Sequence, residues 1–327
     1  MIGAGAWGTA LAQCLVGERR PVVLWAREPD LAASINEHHE NKLYLPGVPL
    51  NPAIRATGDL SEAAGCDVIL MVTPAQHLRA ALRNMKKHLT GGKPVVICAK
   101  GIELETGHLL SQTALEEAPE ATIAVLTGPT FASEIARGLP SAVTLAASDR
   151  AAAQNIRDKI ACRTLRPYIS DDLVGAQIGG SVKNVIAIAA GILSGKGMGE
   201  SARAALITRG LAEMARLAAS LGAKKETLLG LCGVGDLMLT CSSMQSRNYS
   251  LGFHLGEGMT LDEILGKRTA VTEGVHTAKA LMVMAEKQAI DMPVSEAVYK
   301  CLCENMNIDD AIATLLDRPL KGRTETQ

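Results

Sequence analysis

Hydrophobic residues in the first half of the chain fall into short continuous runs, separated by stretches with the spacing of amphipathic helices. The runs are Pro21 to Trp25, Val68 to Val72, Pro94 to Ala99 and Thr122 to Leu126. A continuous apolar run is typical of a strand covered on both faces, and its alternation with helices predicts a parallel sheet between helical layers. Ser141 to Leu145 and Arg163 to Tyr168 predict further strands, with a helix over 151–161 between them.

After Asp172 the pattern changes, because only helical periodicity remains and no further strand is predicted. A chain of 327 residues also exceeds what one hydrophobic core usually serves. We therefore predict an α/β domain over residues 1–179 and an all-helical domain over residues 180–327. The tail from Gly322 to Gln327 is predicted to fray.

One cationic side chain, Lys183, lies in the longest apolar helical run, and the pattern places it in the first turn of a helix that starts near Gly179. Because that helix should be buried on most faces, the ammonium group needs either a partner or access to water. This segment alone leaves two alternatives open: a functional lysine, or one that extends from the helix end to solvent.

The chain opens with the glycine-rich stretch Gly3-Ala4-Gly5-Ala6-Trp7-Gly8, which runs into a helical pattern and then into the strand predicted at Pro21 to Trp25. This G-x-G-x-x-G pattern within a βαβ unit predicts dinucleotide binding. The glycines let the backbone approach a pyrophosphate, whose charge is met by free N–H groups at the helix start. Together with the apolar runs, the motif predicts a Rossmann-like, doubly wound, mostly parallel sheet followed by the helical domain.

Only Met1 and Ile2 precede the first glycine, whereas a strand needs about five residues. The first strand of a doubly wound sheet is central, so its absence would leave the neighbouring strands unpaired. We therefore expect the native chain to extend upstream of Met1.

The choice between NAD and NADP should depend on the residues after the strand predicted at Pro21 to Trp25, which is the second strand of the βαβ unit. A carboxylate there would bind a ribose 2′-hydroxyl, whereas an arginine would accommodate a 2′-phosphate. Glu28 is at the usual distance, but Arg27 is closer to the strand, which favours NADPH or use of both cofactors. Alternatively, both residues are solvated turn residues.

Composition and net charge limit the classes of binding partner and site that are expected. The net charge is −1 and only 2% of residues are aromatic, which argues against a nucleic acid. No apolar run approaches ~18 to 20 residues, so no membrane span is expected, and the protein is predicted to be soluble and cytoplasmic. Eight cysteines lack the paired spacing of a zinc site and are predicted to be buried, reduced thiols, and no metal site is proposed.

Two predicted strands of the first domain end in candidate ligand-binding residues. Lys100 follows one strand, and Gly128-Pro129-Thr130 follows the next. Ligands of such sheets bind at the carboxyl ends of the strands, and Pro129 suits the first position of a helix that could receive an anion. The alternative is a plain Gly-Pro turn beside a surface lysine. The stretch from Asn41 to Pro49 contains two prolines and predicts a loop.

Polar residues in the second half fall in three stretches. Asp236 lies in a stretch interrupted by glycines, and a helix cap is its simplest interpretation. Ser246-Arg247-Asn248 groups three polar side chains, and the forked donors of arginine suit a phosphate. Val271 to Gly274 predicts a further loop.

Taken together, these segments resemble the bacterial-type NAD(P)-dependent glycerol-3-phosphate dehydrogenases from Gly3 to about Leu316. The motifs that carry the resemblance are the opening glycine stretch through Ala12, Asn41 with Tyr44-Leu45-Pro46, Pro74-Ala75-Gln76, Lys100-Gly101-Ile102-Glu103, Gly128 to Glu134, Ser181-Val182-Lys183-Asn184, Gly235-Asp236-Leu237 with Thr240-Cys241, and Ser246-Arg247-Asn248. Thr127 and Thr130 stand where serine is common in the family, so the hydroxyls are kept.

The resemblance implies interconversion of dihydroxyacetone phosphate and sn-glycerol 3-phosphate with NADP or NAD, feeding glycerophospholipid synthesis in the cytoplasm. It implies that Lys183 transfers the proton. The implied substrate-binding residues are Lys100, Gly128, Thr130, Asp236, Ser246, Arg247 and Asn248. The implied cofactor-binding residues are Gly3, Gly5, Ala6, Trp7, Gly8, Arg27, Lys100, Ala132, Arg247, Val271 and Glu273. The sequence leaves the oligomeric state open, and a homodimer is compatible with it.

Two other functions stay open at this point. A β-hydroxyacid dehydrogenase has the same two-domain plan and a helix-borne lysine, but its substrate carries a carboxylate. A nucleotide-binding sensor without turnover would bind NADPH and not consume it, although the presence of Lys183, Asp236 and Arg247 together counts against it.

Overall fold

The computed structural model describes residues 1–17, 20–268 and 271–319, so the predicted fraying of residues 322–327 lies outside the described residues. The chain divides into two compact units, the first made of residues 1–100 and 108–173 and the second of residues 101–107 and 174 onward. The division predicted at 179/180 falls inside a continuous helix, Leu173–Gly195. The chain therefore changes unit at the start of this helix.

The sheet of the first unit is mostly parallel, as predicted. Its strands, with a small hairpin formed by the second and third, are β1 (Val22–Trp25), β2 (Glu40–Asn41), β3 (Leu45–Pro49), β4 (Ile54–Thr57), β5 (Ile69–Met71), β6 (Pro94–Ile97), β7 (Thr122–Thr127), β8 (Ser141–Ala147) and β9 (Leu165–Ser170). β1 pairs with β4, and the last five strands follow the order β5-β6-β7-β8-β9, in which the pairing of β7 with β8 is antiparallel and the others are parallel.

Met1 and Ile2 occupy the position between β1 and β5. Ile2 forms parallel bridges to Trp25 and Met71, and its N–H donates to the Leu70 carbonyl at 2.8 Å. The N–H of Trp25 donates to the Met1 carbonyl at 2.9 Å. Met1 and Ile2 therefore link β1 to β5 at this level of the sheet.

Seven helices alternate with these strands in the described part of the first unit: α1 (Ala6–Leu15), α2 (Pro29–His38), α3 (Leu60–Ala64), α4 (Leu78–Met85), α5 (Leu110–Glu117), α6 (Ala132–Ala136) and α7 (Arg150–Ile160). Two turns of 3₁₀ helix, Ala75–His77 and Lys86–His88, flank α4. The loop predicted from Asn41 to Pro49 is wrong in part, because β2 and β3 pair as an antiparallel hairpin there.

The described residues of the second unit form helices and no strands. They are α8 (Leu173–Gly195), α9 (Glu200–Ser220), α10 (Lys225–Leu228), α11 (Asp236–Thr240), α12 (Arg247–Gly256), α13 (Leu261–Gly266), α14 (Glu273–Lys287), α15 (Pro293–Cys303) and α16 (Ile308–Leu316). A π-helical turn, Leu231–Gly235, leads directly into α11.

Helix α8 is the core of the second unit. By length and a mean hydropathy of 1.4 it could cross a membrane, but 89% of that stretch is buried within the fold, as in the core helix of a globular protein. Glycines bring α12 against it: a Cβ on Gly191 would lie 2.1 Å from the Tyr249 carbonyl oxygen, and one on Gly252 would lie 2.0 Å from that of Ile188. This backbone contact fixes the start of α12, where Ser246, Arg247 and Asn248 lie.

The cysteines only partly follow the prediction of buried thiols. All eight are free thiols, and Cys98, Cys232 and Cys241 are buried. Cys303 is exposed, so the prediction is wrong for it, and the others are half-buried. Within the described ranges, no three His, Cys, Asp or Glu side chains are arranged to hold a metal ion.

Candidate active site

The glycine loop of the first unit is a tight turn that only glycine allows. Gly3 has φ +118°, which other residues rarely adopt, and a Cβ on Gly8 would lie 1.9 Å from the Gly3 carbonyl oxygen. Gly5 is the N-cap of α1 and has nothing within 4 Å of the position of a Cβ. Gly3 and Gly8 thus shape the turn itself, whereas Gly5 leaves open space above it.

Asn41 supports this loop from the β2–β3 hairpin. It is fully buried, and its Nδ2 donates to the Ala4 carbonyl at 2.8 Å and to Thr9 Oγ1 at 2.8 Å. Its Oδ1 accepts the N–H of Tyr44 at 3.0 Å. Reasoning from the sequence assigned Asn41 no role, and an asparagine beside a proline-rich stretch gave no signal that it was buried.

The start of α1 and the carboxyl ends of the neighbouring strands fit a dinucleotide, which would need donors and hydroxyls here. The first N–H groups of α1 have no acceptor within the helix. Trp7 Nε1, Thr73 Oγ1 and Thr127 Oγ1 are buried polar atoms that lack a hydrogen-bond partner within the described structure. Thr73 and Thr127 lie at the carboxyl ends of β5 and β7. Buried polar groups without partners are uncommon and indicate that a ligand or water completes them.

Lys100, Gly128 and Thr130 come together at the same edge of the sheet. The half-buried Lys100 donates from Nζ to the Gly128 carbonyl at 3.0 Å, and Thr130 Oγ1 donates to the same oxygen at 3.4 Å. Lys100 is therefore not a plain surface lysine. The helix predicted to begin at Pro129 is wrong, because α6 begins at Ala132 and is capped by Phe131.

Arg27 and Glu28, the two candidate determinants of cofactor choice, bind each other at the end of β1. The Arg27 guanidinium donates to Glu28 Oε1 at 2.8 Å and 3.1 Å, and its side chain is 74% exposed. Glu28 is also the N-cap residue of α2. Both side chains are therefore available to a ligand that displaces one from the other.

Lys183 lies in the middle of α8 and not in a first turn, because the helix begins at Leu173. It is only 5% exposed, which excludes the alternative of a lysine that extends to solvent. Its Nζ donates to Asp236 Oδ1 at 2.5 Å and to Thr240 Oγ1 at 2.7 Å. A buried ammonium group is thus matched by a carboxylate that is itself fully buried.

Helix periodicity explains how this pair forms. A Cβ on Gly179 would lie 2.3 Å from the Cys232 carbonyl oxygen, so the π-helical turn is in backbone contact with α8. Lys183 lies four residues after Gly179, and Asp236 lies four residues after Cys232, so each side chain lies on the helical face that makes this contact. Asp236 is the first residue of α11 and the N-cap residue is Gly235, so the prediction that Asp236 caps the helix is wrong. Burial raises the pKa of the nearby Cys241 to about 12, which keeps that thiol neutral.

A second chain of hydrogen bonds starts at the residue after Lys183. Asn184 Oδ1 accepts Asn248 Nδ2 at 2.9 Å, and Asn248 Oδ1 accepts the N–H of Gly274 at 2.9 Å. Ser246 caps α12, because its Oγ accepts the N–H of Tyr249 at 3.2 Å. These bonds tie α8, α12 and the start of α14 together.

Arg247 is exposed at the N-terminus of α12 and donates to the Val271 carbonyl at 2.7 Å. Partial desolvation lowers its pKa and the carboxylate of Glu273 opposes this, but the guanidinium of arginine remains charged at physiological pH. Arg268 donates to the Arg247 carbonyl at 2.6 Å and holds this end of the helix. Arg247, Val271 and Glu273 therefore lie together.

The predicted site residues thus fall into two groups. In the first unit lie Gly3, Gly5, Ala6, Trp7, Gly8, Arg27, Lys100, Gly128, Thr130 and Ala132, and in the second lie Lys183, Asp236, Ser246, Arg247, Asn248, Val271 and Glu273. Reasoning from the sequence missed Asn41, Asn184 and Arg268 as supporting residues, because each acts through a contact distant in sequence.

Comparison with known proteins covers both units. Residues 1–153 match the family model described as NAD-dependent glycerol-3-phosphate dehydrogenase N-terminus, and residues 172–313 match the corresponding C-terminus model. A protein of Parvibaculum lavamentivorans named glycerol-3-phosphate dehydrogenase [NAD(P)+] is 55% identical over 99% of this chain and 97% of its own length. One of the same name from Caulobacter vibrioides is 53% identical over 98% of this chain and 97% of its own.

A solved structure of a similarly named protein also matches this chain. The crystal structure of glycerol-3-phosphate dehydrogenase from Coxiella burnetii matches with a TM-score of 0.93 and 37% identity, and covers 97% of this chain and 98% of its own. The family-model matches extend over both units, so the alternative of a β-hydroxyacid dehydrogenase is not favoured.

Proposed function

Because this chain belongs to the NAD-dependent glycerol-3-phosphate dehydrogenase family, we propose that it interconverts dihydroxyacetone phosphate and sn-glycerol 3-phosphate with NAD(P)H. The observation that carries the proposal is the buried Lys183 ammonium, bonded to Asp236 and Thr240. It is an acid suited to a carbonyl oxygen. The same unit contains Arg247, whose guanidinium suits a phosphate.

Lys183 is proposed as the proton-transfer residue. A bound reduced nicotinamide supplies the hydride. As a ketone is reduced, its oxygen gathers negative charge, which the Lys183 ammonium stabilises before it gives up a proton. In the reverse direction the neutral amine accepts the proton. Asp236 and Thr240 hold Nζ in one position, so little reorganisation is needed during the reaction.

Arg247, Ser246 and Asn248 are proposed to bind the substrate from the second unit, with Asp236 as a further substrate-binding residue. Lys100, Gly128 and Thr130 are proposed to bind it from the first. A dianionic phosphate attracts arginine strongly, and holding it at a distance from the carbonyl uses binding energy for positioning. Loss of such a residue should raise KM more than it lowers kcat.

The first unit is proposed to bind the cofactor through Gly3, Gly5, Ala6, Trp7 and Gly8. Lys100, Ala132, Arg247, Val271 and Glu273 are proposed to contribute further cofactor contacts. NADPH is the favoured cofactor, because the exposed Arg27 offers a positive charge to a 2′-phosphate. Use of NAD is compatible with the neighbouring Glu28.

In the cell, the proposed enzyme is cytoplasmic, acts toward glycerol 3-phosphate and feeds glycerophospholipid synthesis. A homodimer is proposed as its assembly. Light scattering of the purified protein distinguishes a dimer from a monomer of 34.3 kDa.

The activity is tested by following the absorbance of NADPH or NADH during incubation with dihydroxyacetone phosphate. Consumption that depends on the triose phosphate is expected, together with oxidation of glycerol 3-phosphate and not of 3-hydroxy acids in the reverse assay. Oxidation of 3-hydroxy acids alone would indicate the alternative dehydrogenase. Binding of NADPH without consumption would indicate a sensor.

A further inference from the structure

Two half-buried cysteines of the first unit lie side by side although 148 residues separate them in the sequence. Cys14 is in the last turn of α1, and Cys162 lies between α7 and β9. Their sulfur atoms are 3.3 Å apart, and Thr164 Oγ1 is 3.5 Å from each. Nothing in the reaction proposed above uses this cluster.

We propose that Cys14 and Cys162 form a redox-active dithiol that closes to a disulfide by exchange with a small disulfide such as oxidised glutathione. A disulfide bond is about 2.05 Å long, so the sulfur atoms need to approach by only about 1.2 Å from their separation of 3.3 Å. This site is independent of the proposed dehydrogenase activity, because neither cysteine belongs to the residues assigned to substrate or cofactor.

The surroundings favour Cys162 as the attacking sulfur. The hydrogen bond from Cys14 lowers the pKa of Cys162, and hydrogen bonds from Thr164 and from the amide of Leu165 lower it further. The same contact with Cys162 raises the pKa of Cys14, while the positive charge of Arg20 opposes that rise. Thiolate is the reactive form of cysteine, so the pair should react at a pH where isolated cysteines do not.

A groove of about 420 Å³ reaches Cys14 and Thr164, the two side chains that contact the half-buried Cys162. Its lining includes Cys14 and Thr164, with Gln13 and Arg137 among the polar residues. The buried cysteines Cys98 and Cys241 differ, because burial raises the pKa of each to about 12. They should remain thiols under the same conditions.

The reaction has two exchange steps. The Cys162 thiolate attacks one sulfur of oxidised glutathione, which breaks that S–S bond, forms a mixed disulfide and releases one glutathione thiolate. That thiolate takes the proton of Cys14. The Cys14 thiolate then attacks the Cys162 sulfur and expels the second glutathione as a thiolate, which takes up the proton that Cys162 released. Two protein thiols are oxidised, and one molecule of oxidised glutathione is reduced to two thiols.

The bond would join the end of α1 to the segment after α7. Because α1 starts at the glycine loop, the cross-link would anchor the helix that carries the proposed cofactor motif. Closing a loop of this length should raise the melting temperature of the oxidised protein by roughly 5 °C, with reversal by dithiothreitol.

The test treats the full-length protein with oxidised glutathione, blocks remaining thiols with iodoacetamide and maps the unreduced peptides by mass spectrometry. The expected result is a Cys14–Cys162 cross-linked peptide and a fall from eight free thiols to six. A Cys301→Ser/Cys303→Ser control should form the same cross-link. Recovery of Cys14 and Cys162 as alkylated thiols, with modification elsewhere, would overturn the proposal.

Single variants test the order of the steps. In Cys14→Ser the mixed disulfide should persist on Cys162, whereas Cys162→Ser should react at least about tenfold more slowly. The pH at which alkylation of Cys162 becomes half-maximal should be lower in the wild type than in Cys14→Ser. An unchanged pH profile would show that the neighbouring thiol does not activate Cys162, and would contradict the proposed pair.

Discussion

The glycine loop of the first unit and the lysine cluster of the second are built in opposite ways. The loop depends on glycines within six consecutive residues, Gly3 to Gly8, because a Cβ at either end would contact backbone atoms. The cluster works through side chains, and Lys183 finds its partners 53 and 57 residues away. A site made of backbone is encoded locally, whereas a site made of buried charge depends on the whole fold of its unit.

The energetic demands of the two regions differ for the same reason. A tight backbone turn tolerates no added volume but leaves no charge buried. An ammonium group in an apolar helix requires its counter-ion, because an unpaired buried charge is strongly destabilising. Substitutions in the second region should therefore have the larger effects.

Asp236→Asn should have the largest effect on stability, because it leaves the Lys183 ammonium buried without a counter-charge. The free energy of unfolding should fall by about 3 to 5 kcal/mol in urea titrations. The matched control is Asp309→Asn, which removes an ion pair to Lys196 whose carboxylate side chain is 70% exposed. That control should cost less than about 1 kcal/mol. Equal losses in the two variants would refute the distinction.

Glu213 provides a pH test of buried charge in the second unit. It accepts the N–H groups of Val294 and Ser295 at 2.6 Å and 3.1 Å, but burial prevails and raises its pKa from 4.5 to about 7. A carboxyl group with a raised pKa contributes stability below pH 4.5, and that contribution is lost as the pH rises through 7. The change corresponds to about 3 kcal/mol.

The measurement compares unfolding free energies of the wild type and Glu213→Gln between these two pH values. The difference should favour the wild type at the acidic end and decline toward neutral pH. A difference that does not vary with pH would mean that the pKa of Glu213 is the same in the folded and the unfolded protein.

In the first unit, Gly8→Ala tests the shape of the glycine loop, and Gly5→Ala tests the access of the cofactor to that loop. The Gly8 methyl would clash with the Gly3 carbonyl, so we expect a loss of about 1 to 3 kcal/mol in stability together with weaker NADPH binding. Gly5→Ala meets open space and should keep the stability of the wild type, but it should weaken NADPH binding measured by fluorescence. Gly58→Ala, also unobstructed, should change neither property. Normal NADPH affinity in Gly5→Ala would remove Gly5 from the cofactor site.

Arg27→Ala should have the smallest effect, because the side chain is 74% exposed. The preference for NADPH over NADH, expressed as the ratio of kcat/KM, should fall by about tenfold, equivalent to about 1.4 kcal/mol. An unchanged ratio would show that Arg27 does not bind the 2′-phosphate.

The fold class could be predicted from the sequence because a continuous apolar run indicates a strand that is buried on both faces. The parallel pairing of β5, β6 and β7 follows from those runs, and the helices of the second unit follow from the helical periodicity after Asp172. The antiparallel pairing of β7 and β8 could not be predicted, because an apolar strand has the same pattern in either direction. The start of α8 was also missed, although Asp172, directly before Leu173, is of a residue type preferred at a helix N-cap.

The parts of the candidate site that are formed by residues adjacent in the sequence could be predicted. The contacts between residues that are distant in the sequence could not. Motif resemblance pointed to Lys183 and Asp236, but the sequence alone gave the aspartate a capping role. Their contact depends on Gly179 packing against the π-helical turn, which no local pattern encodes. The pairing of Cys14 with Cys162 has the same origin.

The role of Lys183 is tested most directly by single-turnover oxidation of NADPH by saturating dihydroxyacetone phosphate in Lys183→Met. The rate should fall by at least about 10³-fold, because acid catalysis and charge stabilisation are lost together. NADPH affinity, measured by fluorescence on the same sample, should stay within about twofold of the wild type, a change of less than about 0.5 kcal/mol. A variant that keeps most of the wild-type rate would contradict the proposed mechanism.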